Sequence, residues 1–231
     1  MNDDKYNSLI AEAITHFWEI RLSQSKKSKK SDTGNRSSVT GGKQLDGFVS
    51  LFKQIAIEAG VPESWIYYRS TTLPGYFRPT KDWDLVIVSD QRELIAVCEV
   101  KSQVGSFGNN FNNRTEEVLG SAVDFWTAYK EEGFGDQRAP WLGYLIVVEI
   151  APKSTRPVRL NANHFDARPE FKGTSYLQRY DLLCKKLTTE RHYTVASLIG
   201  TKPDFSFEKV SDLSSIQTFI RSFVGHVSSY L

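Results

Sequence analysis

Cysteine is scarce in this 231-residue chain: only Cys98 and Cys184, far apart and each inside an apolar stretch. That scarcity excludes a disulfide scaffold or a cysteine-built zinc site and leaves two buried free thiols as the expectation. No apolar run approaches the roughly 20 residues that a membrane helix needs, so no membrane association is expected. The N-terminal MNDDKYNSL is acidic and carries no apolar signal segment. Cytoplasmic residence is therefore expected, and the sequons at Asn35 and Asn113 have no glycan to carry. The four histidines, His16, His164, His192 and His226, show no metal-ligand spacing and read as surface or satisfied core residues. Serine-hydrolase chemistry lacks its G-x-S-x-G elbow. VTGGKQ is no phosphate-binding loop, because Ser37 and Gln44 stand where that motif needs glycine and Ser or Thr.

What is present is the composition of a water-facing globular protein, 40% hydrophobic and 24% charged. Residues 1–231 fit a single domain with a substantial core. The net charge of +2 is unevenly spread. Arg21, Lys26, Lys27, Lys29, Lys30, Arg36 and Lys43 face only Asp32 within their stretch, leaving the rest net acidic. A basic arm over residues 21–44 on an acidic body suggests a polyanionic partner, since lysine and arginine neutralise phosphates and release counterions. Its plainer reading is a solvated, mobile linker.

Tyr6, Leu9, Ile10, Ala13, Ile14, Phe17 and Trp18 recur at helical spacing and predict a first helix. The polar SQSKKSKKSDTGNRSSVTGG predicts a loop. A second amphipathic helix runs from Leu45 through Phe48, Phe52 and Ile55 to a stop at Gly60 and Pro62. Strands are expected at residues 65–68, 84–88 and 94–101, the last two forming an antiparallel hairpin across SDQRE. The segment SQVGSFGNNFNNRT reads as a loop before a helix starting near Val118. WLGYLIVVEIA reads as a strand buried on both faces. A helix near residues 176–187, a strand in YTVASLI and a closing helix over residues 213–230 complete the chain. The order predicts an α/β fold: a mixed β-sheet core flanked by helices.

Two acids and a lysine sit at the ends of the predicted hairpin strands. Strand side chains alternate faces, so Ile95, Val97, Glu99 and Lys101 are expected on one face and Leu94, Ala96, Cys98 and Val100 on the other. Pairing with the preceding strand brings Asp84 to the same end. Two carboxylates make a hard-oxygen site suited to Mg²⁺, and the Val100 carbonyl is a candidate further ligand. A lysine beside them can orient or deprotonate a water, or stabilise charge developing on a phosphate. On spacing alone the same residues also read as a surface ion pair worth under about 1 kcal/mol and a turn aspartate.

Asp84 followed across a hairpin by Glu99-Val100-Lys101 resembles the PD-(D/E)xK nuclease motif, with Trp83 where that motif has proline. GNRSSVTGGKQLDGF, residues 34–48, is similar to the signature of the XhoI-type restriction endonucleases. The similarity continues through ELIAVCEVKSQVGSFGNNFNNRTEEVLGSAVDFW to about residue 151. The resemblance implies a restriction-endonuclease-like fold and a Mg²⁺-dependent type II enzyme acting as a homodimer. It further implies a cut after the first base of the palindrome CTCGAG in double-stranded DNA, with a cognate methyltransferase protecting the host. Carried over by motif, Asp84 and Glu99 are metal ligands and Lys101 assists the attacking water. Asp82 is the alternative to Asp84. Glu58 is a possible further carboxylate whose plainer role is a solvated helix face.

Reading bases takes side chains that match groove patterns, arginine or lysine for guanine and asparagine or glutamine for adenine. Two sets are expected to contact DNA: Asn35, Arg36, Lys43 and Gln44, and then Asn109, Asn110, Asn112, Asn113 and Arg114. Two competing readings keep the same residues: a nuclease of repair or junction-cleaving type, and a DNA-binding protein with a decayed site.

Overall fold

A computed structural model describes residues 3–28 and 42–231. The chain begins with α1 (Asp3–Ser28), followed after a short 3-10 turn by α2 (Asp46–Glu58). Strands β1 (Ile66–Tyr67), β2 (Thr72–Pro74), β3 (Thr80–Asp82), β4 (Leu85–Val88) and β5 (Leu94–Gln103) come next. Then follow α3 (Phe107–Lys130), β6 (Trp141–Glu149), the single turn α4 (Pro152–Thr155) and α5 (Tyr176–Thr189). β7 (Val195–Thr201), β8 (Phe207–Lys209) and α6 (Ile216–Val227) close the fold.

Six strands form one mixed sheet in the order β1-β4-β5-β6-β7-β8. Its centre, β5-β6-β7, is parallel, and antiparallel strands extend it on both sides. Parallel neighbours need crossovers, and α3 and α5 supply them. Both helices pack on one face against Val97, Tyr144, Ile146 and Leu198. α1, α2 and α6 cover the other face through Phe17, Phe48, Phe52, Phe219 and Phe223, against Cys98, Val100, Leu145 and Ile199. β6 is hydrophobic along its length because both of its faces are covered. Gly143 is required there, since a Cβ would collide with the Trp141 ring. The result is the three-layer α/β sandwich read from the sequence.

The structure corrects several local readings. α1 continues into the polar SQSKKS to Ser28. α3 begins at Phe107, well ahead of the predicted start near Val118, so Asn109 to Arg114 lie in its first turns rather than in a loop. Asparagine is a weak helix former. Here Phe107 and Phe111, one turn apart, pack on Tyr176 and Tyr180 of α5 and override that preference. Ile95 lies with Ala96 and Cys98, not with Val97. The register skips it, with Ile87 facing Ala96 and Val88 facing Leu94, and this bulge breaks the alternation below the site. The β2–β3 hairpin was not foreseen. Both cysteines are buried free thiols, as expected.

Candidate active site

The site lies where β4 begins and β5 continues past it. Asp84 donates its N–H to the Cys98 carbonyl at 3.1 Å and pairs with β5 as a strand residue would. Its Oδ2 accepts the Val100 N–H at 2.6 Å, taking the place of the next strand carbonyl. A residue's N–H and C=O point to the same side of a strand. The Val100 carbonyl therefore faces the same edge, beyond the end of the β4 ladder. Val97, Glu99 and Lys101 share the face under α3, so the predicted alternation is correct at Glu99 and Lys101.

Glu99 is 4% exposed and grips a lysine with each oxygen. Lys101 Nζ sits on Oε1, and Lys81 Nζ donates to Oε2 at 2.8 Å. Lys81 reaches this position from β3, its ammonium 4.2 Å above the Trp83 ring. Trp83 is buried edge-on against Phe125, which anchors the chain just ahead of Asp84. Sequence reasoning missed Lys81. Its signal was the KDWD spacing, but without the β2–β3 hairpin nothing aimed it at Glu99.

Burial, then the like charge of Glu99, pushes the Asp84 carboxyl up to about 6, although Lys101, the Val100 N–H and Lys81 pull the other way. Burial alone would lower the Lys101 ammonium, but the Glu99 and Asp84 carboxylates outweigh it and raise the group overall. Lys101 is thus a firmly protonated donor at neutral pH, and Asp84 is a carboxylate short of positive charge. Those two carboxylates and one backbone oxygen are the hard donors that Mg²⁺ takes, few in number with several waters kept, once a Glu99 oxygen is released by its lysine. Among the described residues no group of three or more His, Cys, Asp and Glu is arranged to hold a metal.

Asp82 is exposed and its carboxylate takes the Thr72 hydroxyl, so it turns away from the site that Asp84 enters. Glu58 is exposed on α2, accepts from Gln54 at 3.1 Å, and belongs to the helix layer opposite Glu99. Arg114 comes down beside Lys101, in a small recess also lined by Glu99, Glu117, Tyr144 and Tyr193. Its Nη1 pairs with Glu117 at 2.5 Å, while its Nε is buried without a protein partner. Asn109, Asn112 and Asn113 are exposed and Asn110 is half-buried, all within the first two turns of α3. Lys43 is exposed, its carbonyl accepting from the His16 ring at 3.1 Å. Gln44 is buried and donates to Ser102 Oγ at 2.8 Å, next to Lys101 on β5. Asn35 and Arg36 lie outside the described residues.

A mixed sheet covered by helices, with two carboxylates and a lysine at the open end of a central hairpin, defines a restriction-endonuclease-like protein. Comparison narrows this class. The family model for "Restriction endonuclease XhoI" matches residues 24–210. The type II restriction enzyme BstVI of Geobacillus stearothermophilus is 44% identical over 215 residues, covering 88% of this chain and 96% of that one. The type II restriction enzyme XhoI of Xanthomonas vasicola is 46% identical over 188 residues, covering 79% and 75%. AbrI of Azospirillum brasilense, also a type II restriction enzyme, is 43% identical over 173 residues, covering 72% and 74%. No solved structure gives a significant match. The chain belongs to the XhoI restriction endonuclease family of type II restriction enzymes.

Proposed function

We propose that this restriction endonuclease cuts the palindrome CTCGAG after its first base, leaving four-base 5′ overhangs. It acts in the cytoplasm as a homodimer with Mg²⁺, beside a methyltransferase that protects the host sequence. The observation that carries the catalytic reading is the meeting of Asp84, Glu99 and Lys101 at one end of the β4–β5 hairpin. The family resemblance supports the choice of sequence. A two-fold dimer suits a palindrome, each site serving one strand.

Asp84, Glu99 and the Val100 carbonyl would hold the metal. When bound, Mg²⁺ supplies Lewis-acid polarisation of the phosphate and lowers the pKa of a water. Lys101, protonated between the two carboxylates, donates a hydrogen bond that orients the incoming water. It also stabilises the charge that builds on the phosphate oxygens. Lys81 neutralises Glu99 on its other side and adds positive charge where the phosphate arrives. Arg114, beside Lys101, and the asparagines in the first turns of α3 contact DNA, together with Lys43, Gln44, Asn35 and Arg36. Phosphate contacts from the basic segment position the duplex, while base-edge contacts select the sequence.

The test is digestion of a plasmid holding CTCGAG sites, with Mg²⁺ and with a chelator, followed by sequencing of the ends. Discrete fragments opened after the first C, only with Mg²⁺, are expected. Unspecific nicking or cutting confined to junction DNA would refute the proposal.

A further inference from the structure

Between β1 and the site, residues 68–83 fold into a hairpin whose base supplies Lys81 and whose tip the catalytic constellation does not use. β2 and β3 pair from Pro74 opposite Thr80 to Thr72 opposite Asp82. Below them Trp83 donates its N–H to the Thr71 carbonyl at 3.3 Å, so the hairpin stands directly on the residue before Asp84. Its tip is pinned with unusual thoroughness. Asp124 of α3, 3% exposed, accepts the N–H groups of Tyr76, Phe77 and Arg78 on one oxygen and the Arg78 Nε on the other. Gly75 is obligatory, because a Cβ would collide with Asp124 Oδ2 and the Arg78 carbonyl.

What this buried charge holds in place is an exposed aromatic pair. Tyr76 is 54% and Phe77 68% exposed, with ring centroids 5.1 Å apart in an edge contact. Burying a carboxylate is costly unless it is fully bonded, and a surface tip ordinarily needs no such anchor. Arg78 flanks the pair and remains partly exposed. Lys81 continues the same strand down to Glu99. Basic residues interleaved with exposed rings form a nucleic-acid surface, the rings meeting bases or sugars and the cations meeting phosphates.

We infer that the Tyr76–Phe77 tip is a DNA-contacting wedge, set into a groove of the duplex a few base pairs from the scissile phosphate. The inference rests on the proposed DNA cleavage at Asp84. Seven residues separate Phe77 from Asp84, so the tip lies no more than roughly 25 Å from the site along the chain. At about 3.4 Å per base pair that reach is about seven base pairs, and a duplex seated at Glu99 comes within it. A second copy of the chain suits the patch less well. Two partly exposed rings offer on the order of 250 Å², against about 800 Å² per partner in a stable interface.

The test compares Phe77→Ala, Phe77→Tyr and Phe165→Ala with the unaltered protein, Phe165 being a 90% exposed ring elsewhere on the surface. Binding to a CTCGAG duplex is measured with Ca²⁺ in place of Mg²⁺, using 2-aminopurine fluorescence beside the cut to report unstacking. Cleavage rate, melting temperature and sedimentation mass are followed in parallel. Phe77→Ala is expected to weaken binding or cutting on the order of 10- to 100-fold and to lose the unstacking signal, with mass and melting temperature unchanged. Phe77→Tyr restores most of the loss, and Phe165→Ala matches the unaltered protein. Wild-type binding and cutting by Phe77→Ala would overturn the wedge while leaving the nuclease reading intact. A lowered sedimentation mass would reassign the tip to a dimer contact. No cutting of any DNA by the unaltered protein would remove the nuclease reading and the wedge with it.

Discussion

Asp84 and Asp124 are two carboxylates held against the same protein, and they are treated in opposite ways. Burial pushes the carboxyl of Asp124 up. The Phe77, Arg78 and Tyr76 N–H groups and the Arg78 side chain more than offset this, so it ends below the ordinary range. Asp84 has one N–H and a like-charged neighbour and ends well above it, at about 6. Burial raises both carboxyls, and only Asp124 has donors enough to outweigh it. Asp124 is a nail with both carboxylate oxygens bonded. Asp84 is left short of positive charge, at a cost in stability, where an incoming cation can satisfy it.

The largest effect expected from breaking this contrast is on cutting. Asp84→Ala, Glu99→Ala or Lys101→Ala should each reduce cleavage of a plasmid on the order of 10³-fold or more, with circular dichroism showing a folded protein. Full activity in any of them would remove that residue from the catalytic set. Asp124→Ala strands three backbone N–H groups and a guanidinium. It should lower stability by about 3 kcal/mol and melting temperature by roughly 6–12 °C, read by a thermal melt.

Asp84→Asn should do the reverse. The folded carboxyl, raised to about 6 from 3.8, binds its proton more readily than in the unfolded chain. Stability is thus lost as pH rises from about 4 through about 6. The variant escapes that loss and should be more stable above pH 6 by up to about 3 kcal/mol, with the advantage vanishing near pH 4. Urea melts of metal-free protein across that range measure it. The smallest effect is expected from Tyr144→Phe. Tyr144 lies opposite Glu99 on β6, and its buried Oη has no protein partner. Removing the hydroxyl should leave stability within about 1 kcal/mol, checked in the same melts.

Much of the site was legible because it depends on local rules. Alternation along β5 put Glu99 and Lys101 side by side, and the turn at residues 89–93 brought Asp84 across. Those expectations used only the period of a strand and the direction of a hairpin. They failed at Ile95, where a bulge adds one residue to one strand, since nothing in an apolar run marks which residue is skipped. They failed again at α3, where the asparagine-rich start is helical only because Phe107 and Phe111 have Tyr176 and Tyr180 to pack against.

The sequence by itself determined the class of fold, the membership of the hairpin and the residue types that can hold a cation. Each of these follows from apolar period, from turn chemistry and from charge placed inside buried strands. Only the tertiary structure decided that Lys81 faces Glu99, that Arg114 stands beside Lys101, and that Gln44 is tied to Ser102. It alone joined Asp124 to a tip more than forty residues earlier in the chain. The physical reason is common to all four. Each contact joins segments distant in sequence or across an unforeseen hairpin, where side-chain direction is set by packing and register rather than by any local preference.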